Sequence, residues 1–115
     1  MNKKVALCLA LLKGDVINVS NSIRLTGYSN PAREIPREVE IPFSVKVSRT
    51  KMDSKDQFGN YVTWCNYRLN FTGYNEKGIS AMREYVKKEM QSEPPPKTDA
   101  ENKQRKQAMM LFDGL

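Results

Sequence analysis

Five consecutive apolar or small residues, Ala108 to Phe112, are the part of this sequence with the clearest capacity to bind another molecule. The residues before them, Asn102 to Lys106, are all polar. Because the apolar residues are consecutive, no single face of an amphipathic helix would collect them. Three prolines, Pro94 to Pro96, supply a stiff spacer ahead of the cluster. This pattern is typical of a short peptide that docks in a groove of another protein. The alternative is that the cluster folds back onto the rest of the chain or forms a homodimer contact.

The side chains that catalysis and metal binding usually need are scarce. The sequence has no histidine, which is the commonest general base and metal ligand. Cys8 and Cys65 lie in apolar surroundings without metal-ligand spacing, as is typical of buried thiols in a cytosolic protein. No motif pairs a nucleophile with a base. We therefore predict a protein that is not an enzyme and that holds no metal or cofactor.

The formal net charge of +6 belongs to one part of the chain. Residues 1–92 contain 15 basic and 9 acidic side chains, whereas residues 93–115 contain 4 of each. An excess of positive charge on the longer segment favours an anionic partner. The alternative is that the charge only keeps the protein soluble.

An apolar run near the start of the sequence, from Val5 to Leu12, has some features of a secretion signal. Lys13 and Asp15 close the run, however, and no small-residue cleavage pattern follows. The run is also too short to span a bilayer. We interpret it as a buried helix of a cytoplasmic protein without a membrane partner.

Helical spacing and turn residues predict three helices before residue 40. The first would use Val5, Cys8, Leu9 and Leu12 and end at Gly14. The second, capped by Asn18 or Ser20, would carry Val19, Ile23 and Leu25 and end at Gly27. The third would be capped by Asn30, start at Pro31, and face inward with Ala32, Ile35 and Val39. Pro36 lies about one turn inside it, so that this helix should be short or kinked.

Alternating residues then predict an antiparallel hairpin. One strand would start at Phe43 and continue through Val45 and Val47, and the other would run from Tyr61 to Phe71, with a polar, Gly-containing loop between them. A further helix would be capped by Asn75. Its apolar stripe would consist of Ile79, Met82, Val86 and Met90.

The string "GYSNPAREIPREVEIPFSVKVSRTK", followed by "FGNYVTWCNYRLN", resembles the helix-turn-helix domain of small phage and prophage proteins. That domain has a Gly-containing turn, a helix like "NPAREI", an extended segment and a wing that ends in "YRL". The resemblance covers roughly residues 5–70. It implies an α+β fold, a winged helix-turn-helix of three helices and a β-hairpin wing, here with an additional C-terminal helix and a flexible tail.

Such a domain would lay its third helix in the major groove of double-stranded DNA, with the wing against the DNA backbone. The implied groove contacts are Ser29, Asn30, Arg33, Glu34 and Arg37, since Arg and Asn fit guanine and adenine edges. The implied phosphate contacts are Lys46, Arg49, Lys51 and Lys55. Two alternatives stay open. Glu34, Glu38 and Glu40 could pair with the arginines on a solvated helix face, or the domain could dock protein instead of DNA.

The hexapeptide "QAMMLF" resembles the motif by which bacterial proteins bind the β sliding clamp of the replicative polymerase. The resemblance implies that Gln107 would hydrogen-bond at one end of the clamp groove and that Met109 or Met110 would line the middle. Leu111 and Phe112 would then be the anchors in the apolar pocket.

Together these patterns predict a winged helix-turn-helix domain at 1–92, a Pro-rich linker at 93–97, and a tail at 98–115 with a short helix and the peptide motif. The predicted protein acts in DNA replication of a phage or mobile element, in the cytoplasm of a bacterial host, by binding double-stranded DNA and the β clamp. The alternatives are a phage transcriptional regulator, such as a repressor or excisionase-like factor, and a host-takeover inhibitor whose winged helix binds protein. The pattern leaves the oligomeric state open.

Overall fold

The computed structural model describes residues 1–92, which form an α+β fold of several helices and one antiparallel hairpin. The helices are α1 (Lys3–Leu12), α2 (Ser22–Thr26), α3 (Pro31–Ile35), α4 (Ile41–Phe43) and α5 (Glu76–Ser92), and the strands are β1 (Val47–Lys55) and β2 (Tyr61–Leu69). A π-helical turn, Pro36–Glu40, joins α3 to α4, and a 3-10 turn, Gly73–Asn75, precedes α5. The predicted linker, the predicted short helix and the hexapeptide from Gln107 to Phe112 lie outside the described residues.

Helix α1 is the centre of the core, as its apolar run predicts. Its buried residues are Val5, Leu7, Cys8, Leu9, Ala10, Leu11 and Leu12. The side chain of Asn2 caps the helix by accepting a hydrogen bond from the Val5 amide at 2.8 Å. The predicted stripe of α5 is confirmed, because Ile79, Met82, Val86 and Met90 are all buried in the same apolar cluster. Among the helices of residues 1–92, none combines the length and the apolar character that crossing a bilayer requires.

Helix α2 buries its polar side and not its apolar side. Ser22 and Thr26 face inward, and the Thr26 hydroxyl donates to the Ser22 carbonyl at 2.8 Å, so that its burial leaves no unsatisfied donor. Ile23 of α2 and Val19 in the turn before it are exposed, at 65% and 63%. The predicted end at Gly27 is confirmed by its left-handed backbone, with φ of 82°.

The helical path from Pro31 to Phe43, here called the 31–43 helix, passes through Pro36 without a break. Asn30 caps it as predicted, with its side chain accepting from the Arg33 amide at 3.3 Å. A proline in a helix has no N–H and its ring collides with the preceding turn. After Pro36 the path continues as a π-helical turn, in which the Ile41 amide bonds the carbonyl of Pro36, five residues back. Ile35 and Val39 face inward as predicted, but Ala32 is exposed.

The hairpin starts four residues later than predicted. Phe43 ends the 31–43 helix and packs on the ring of Tyr85, with 5.6 Å between ring centroids. Ser44 then turns the chain in a left-handed conformation, φ 54°. The strands pair in register from Val47 opposite Leu69 to Lys55 opposite Tyr61.

Two contacts tie the root of the hairpin to the rest of the fold. Ile17 and Tyr67 exchange backbone hydrogen bonds of 2.9 and 2.7 Å, which adds a one-residue bridge from the α1–α2 connection to β2. The side chain of Asn75, predicted as a helix cap, is buried beneath the root. It accepts from the Lys46 amide at 2.9 Å and donates to the Lys46 and Asn70 carbonyls at 2.8 and 2.7 Å.

Candidate nucleic-acid interface

Glu40 connects the 31–43 helix to the hairpin. One carboxylate oxygen accepts from the Val47 amide at 3.1 Å and from Nη1 of Arg49 at 3.2 Å, and the other pairs with Nη2 of the same guanidinium. Arg49 also donates to the Val47 carbonyl at 2.8 Å and lies 5.4 Å from the centroid of the Tyr67 ring. A two-point arginine–carboxylate pair restricts orientation as well as distance. The helix end and the first strand are therefore fixed relative to each other.

This contact changes the role of one predicted phosphate ligand. Arg49 was implied as a phosphate contact on the wing, but its guanidinium is engaged by Glu40 across two elements. The alternative interpretation placed Glu40 and arginines together on a solvated helix face. The observed pair instead joins the helix to the strand. Arg49 therefore orients the hairpin, and Lys51 and Lys55 carry the remaining positive charge of the same face.

The network around Glu40 lowers the pKa of its carboxyl. Burial alone raises that pKa, but the hydrogen bonds from Arg49 and the Val47 amide and the positive charges of Arg49 and Lys46 outweigh burial. The net result is a pKa below the usual value of 4.5. A carboxyl group whose pKa is lower in the folded state than in the unfolded state stabilises the folded state. This stabilisation is complete at pH values above the unfolded-state pKa, and it is lost as the pH falls through the folded-state pKa.

We expect Glu40→Gln to lower the free energy of unfolding by about 1–2 kcal/mol at pH 7, toward the lower end for a bond to a charged group because the pair is partly exposed. At acid pH, below the usual value of 4.5, the difference should shrink, since this stabilisation is lost as the pH falls through the lowered pKa of Glu40. Denaturant unfolding of both proteins at the two pH values measures this. Asp53→Asn, which removes an exposed acid from the strand that carries Arg49, is the control. A loss of the same size at both pH values would contradict the charge-based role of Glu40.

The exposed side of the 31–43 helix carries two arginines one turn apart. Both Arg33 and Arg37 expose more than two thirds of their side chains, at 69% and 68%. Glu34 was implied as a groove contact, and that expectation is wrong because its side chain is buried, with 4% of the residue exposed. Its carboxylate accepts from Nε of Arg33 at 2.8 Å and pairs with Nη2 at 2.8 Å, which fixes one edge of that guanidinium. Arg37 has a looser neighbour, with 3.8 Å between its Nε and Glu38.

The start of the same helix presents the two predicted polar contacts. Ser29 and Asn30 are exposed in the turn between α2 and the 31–43 helix. The side-chain oxygen of Asn30 accepts a hydrogen bond from the Arg33 amide and so caps the helix. The structure thus brings Ser29, Asn30, Arg33 and Arg37 to one helix and leaves them exposed.

The hairpin has one charged face and one largely uncharged face. Register places on the charged face the residues Arg49, Lys51, Asp53 and Lys55 of β1, opposite Tyr67, Cys65, Thr63 and Tyr61 of β2. On the other face lie Ser48, Thr50, Met52 and Ser54, opposite Arg68, Asn66, Trp64 and Val62. Lys46 precedes β1 and is exposed, with its backbone held by Asn75.

Trp64 is a half-buried residue on the uncharged face and not part of the core. Its indole N–H donates to the side-chain oxygen of Asn66 at 3.1 Å, and the same oxygen accepts from Asn18 at 3.1 Å. Sequence reasoning did not single out the aromatic residues at the far end of the hairpin. Phe58 and Tyr61 are 79% and 77% exposed there, and the phenylalanine inside a polar loop was the signal that could have identified them.

Two observations concern the cysteines and the acidic side chains of the described residues. Burial raises the pKa of the Cys8 thiol to about 12, which leaves it protonated at neutral pH. Cys65 is half-buried in β2 and is a free thiol. Within residues 1–92 no group of acidic or cysteine side chains is arranged to hold a metal ion.

Comparisons of the chain with protein-family models, with curated proteins and with solved structures gave no match.

Proposed function

We propose that residues 1–92 are a winged helix-turn-helix domain that binds double-stranded DNA. The order of elements supports this fold: a helix, a short bridge to the hairpin at Ile17, two more helices and the hairpin itself. In this arrangement the 31–43 helix is the element that enters the major groove, and the hairpin is the wing.

The observation that carries the proposal is the Glu40–Arg49 connection. It holds an arginine-bearing helix and a lysine-bearing hairpin in one fixed geometry. A duplex offers two kinds of site, base edges in the groove and phosphates beside it. Arg33 and Arg37 are suited to the first, and Lys46, Lys51 and Lys55 are suited to the second. All of the net positive charge of the chain belongs to residues 1–92, as an electrostatic footprint for DNA requires.

We further propose that Gln107 to Phe112 bind the bacterial β sliding clamp, on the strength of their sequence. A DNA-binding domain and a clamp-binding peptide on one chain would reinforce each other, because the second contact forms at a high effective concentration. The protein would then recruit the replication machinery to the DNA of a phage or mobile element, or compete with the host polymerase for the clamp.

Titration of a labelled duplex at several salt concentrations tests the DNA-binding part. We expect log affinity to fall linearly with log salt, and to do so less steeply, by about 0.9 per lost phosphate contact, when Lys46, Lys51 and Lys55 are replaced with Gln. Replacing Lys77, Lys87 and Lys88 of α5 with Gln removes the same charge from another element and is the control. Equal slopes for the wild type and the hairpin variant would contradict a phosphate-binding wing.

A second candidate function is protein docking by the winged domain, as in a host-takeover inhibitor. Val19 and Ile23 favour it, because these two large apolar side chains, one in the turn before α2 and one in α2, are each more than 60% exposed. If the domain docks protein, the chain should bind duplex DNA weakly. The slope of log affinity against log salt should then be the same for the hairpin lysine variant and the α5 lysine variant.

A further inference from the structure

The loop that closes the hairpin is held rigid by one carboxylate. A side-chain oxygen of Asp56 accepts from the amides of Phe58 and Asn60, each at 2.9 Å. The Asp56 backbone adds bonds to Asn60 and Gly59 at 2.8 and 3.0 Å, and Gly59 takes the left-handed conformation that the turn needs, with φ of 83°. The loop therefore presents its side chains from a defined backbone.

That backbone presents aromatic rings to solvent, beyond the part of the hairpin that packs on the fold. Met52 and Trp64 are the last half-buried strand pair, and the strands continue for three more residue pairs, about 10 Å at the usual rise of a β-strand. Phe58 and Tyr61 lie at this end and are 79% and 77% exposed. Neither ring contributes to the core, so their position is not explained by folding.

Charge distinguishes this end of the hairpin from an ordinary apolar patch. The ammonium group of Lys55 lies 5.2 Å from the centroid of the Tyr61 ring, and Lys51 follows on the same face. Asp53 lies between the two lysines and offsets one of their charges, while the Asp56 carboxylate is occupied by the loop amides. Aromatic rings next to cations suit a ligand with flat apolar surfaces and negative charges, which is the chemistry of a nucleotide.

Resting on the proposed DNA-binding function, we propose that the hairpin end binds an unstacked base in DNA. Phe58 stacks on the exposed face of the base, and Lys55 and Tyr61 lie against the adjoining sugar and phosphate. In fully paired DNA, two stacked bases would have to separate before Phe58 could enter, and this unstacking costs free energy. The cost is smaller at an unpaired base, which is held less firmly in the stack. The wing thus prefers DNA that carries an unpaired or mismatched base over a fully paired duplex.

The test compares two labelled duplexes of one sequence, one fully paired and one with a single unpaired base. We expect the wild-type chain to bind the second about tenfold more tightly, in the range of one base–aromatic stack. Phe58→Ala should reduce this ratio to about two or less and leave the affinity for paired DNA nearly unchanged. Phe58→Trp should retain the ratio, because a larger ring still stacks.

Phe71→Ala is the matched control, since Phe71 is also exposed but follows β2 at the opposite end of the hairpin. It should keep the tenfold ratio. A ratio near one in the wild type, or a ratio that survives Phe58→Ala, would overturn this inference while leaving DNA binding in place. Failure to bind either duplex would overturn the proposed function together with the inference.

Discussion

Replacing Leu111 and Phe112 together with alanine is expected to weaken binding to a bacterial β sliding clamp by at least about 100-fold, because a few buried anchors carry most of a peptide's affinity. These two residues are the apolar end of the hexapeptide that resembles the clamp-binding motif. A free peptide spanning residues 103–115 should bind the clamp on its own. Its affinity should be on the order of micromolar, since a short peptide loses conformational entropy when it docks.

Calorimetric titration of the full chain, the peptide and the double variant into the clamp measures this effect. Replacing Asn102 and Lys103 with alanine changes neighbouring polar residues outside the hexapeptide and should leave the affinity nearly unchanged. The melting temperature of the Leu111→Ala/Phe112→Ala protein should also stay close to that of the wild type. A peptide without clamp affinity, combined with a double variant that melts several degrees lower, would instead indicate that the cluster packs on its own domain.

The second large effect concerns base recognition by the 31–43 helix. Arg37→Ala should reduce the preference for a selected DNA site over random duplex by about 1–3 kcal/mol, the usual contribution of a two-point arginine–guanine contact. Non-specific affinity should fall much less, because only one of many charges is lost. Competition between selected and random duplexes gives the ratio directly. Arg24→Ala removes an exposed arginine from α2 and should leave the preference intact.

Arg33 is a less suitable position for that experiment, for a structural reason. Its guanidinium holds the buried carboxylate of Glu34, so that Arg33→Ala would also leave a buried acceptor without its partner. Such a change lowers stability by about 1–3 kcal/mol by itself. A loss of preference in Arg37→Ala with unchanged stability would therefore be assigned to DNA contact. An unchanged preference would contradict the placement of the 31–43 helix in the major groove.

Local patterns predicted much of the fold because the residues concerned act on their immediate neighbours. The apolar run in α1, the stripe in α5, the Asn30 cap and the stop at Gly27 each depend on contacts within about one helical turn or on helix periodicity. The alternation through Tyr67 and Leu69 likewise predicted a strand, and both residues are buried in β2 at the hairpin root.

The differences arise where distant residues decide the structure. The hairpin starts at Val47 and not at Phe43 because Asn75 and Glu40 bond the backbone of Lys46 and Val47 from 29 and 7 residues away. Arg49 appeared in the sequence as one more basic residue on a strand. Only the fold brings Glu40, nine residues earlier, against its guanidinium.

Two further differences came from residues whose polarity suggested exposure. Ser22 and Thr26 are buried because each finds a hydrogen-bond partner within α2, and Glu34 is buried because Arg33 neutralises it. By contrast, the short helix that Pro36 suggested is observed, since α3 ends at Ile35 and a π-helical turn follows from Pro36 to Glu40. Hydropathy alone does not reveal which polar groups will be satisfied in the interior.

The central claim is that one chain joins duplex DNA to the β clamp, and a ternary titration tests it most directly. A short labelled duplex is saturated with the protein, and the clamp is then added while fluorescence anisotropy is followed. We predict a further rise in anisotropy with the wild-type chain and none with the Leu111→Ala/Phe112→Ala variant, which still holds the DNA. No further rise with the wild type, or release of the duplex as the clamp binds, would contradict the claim.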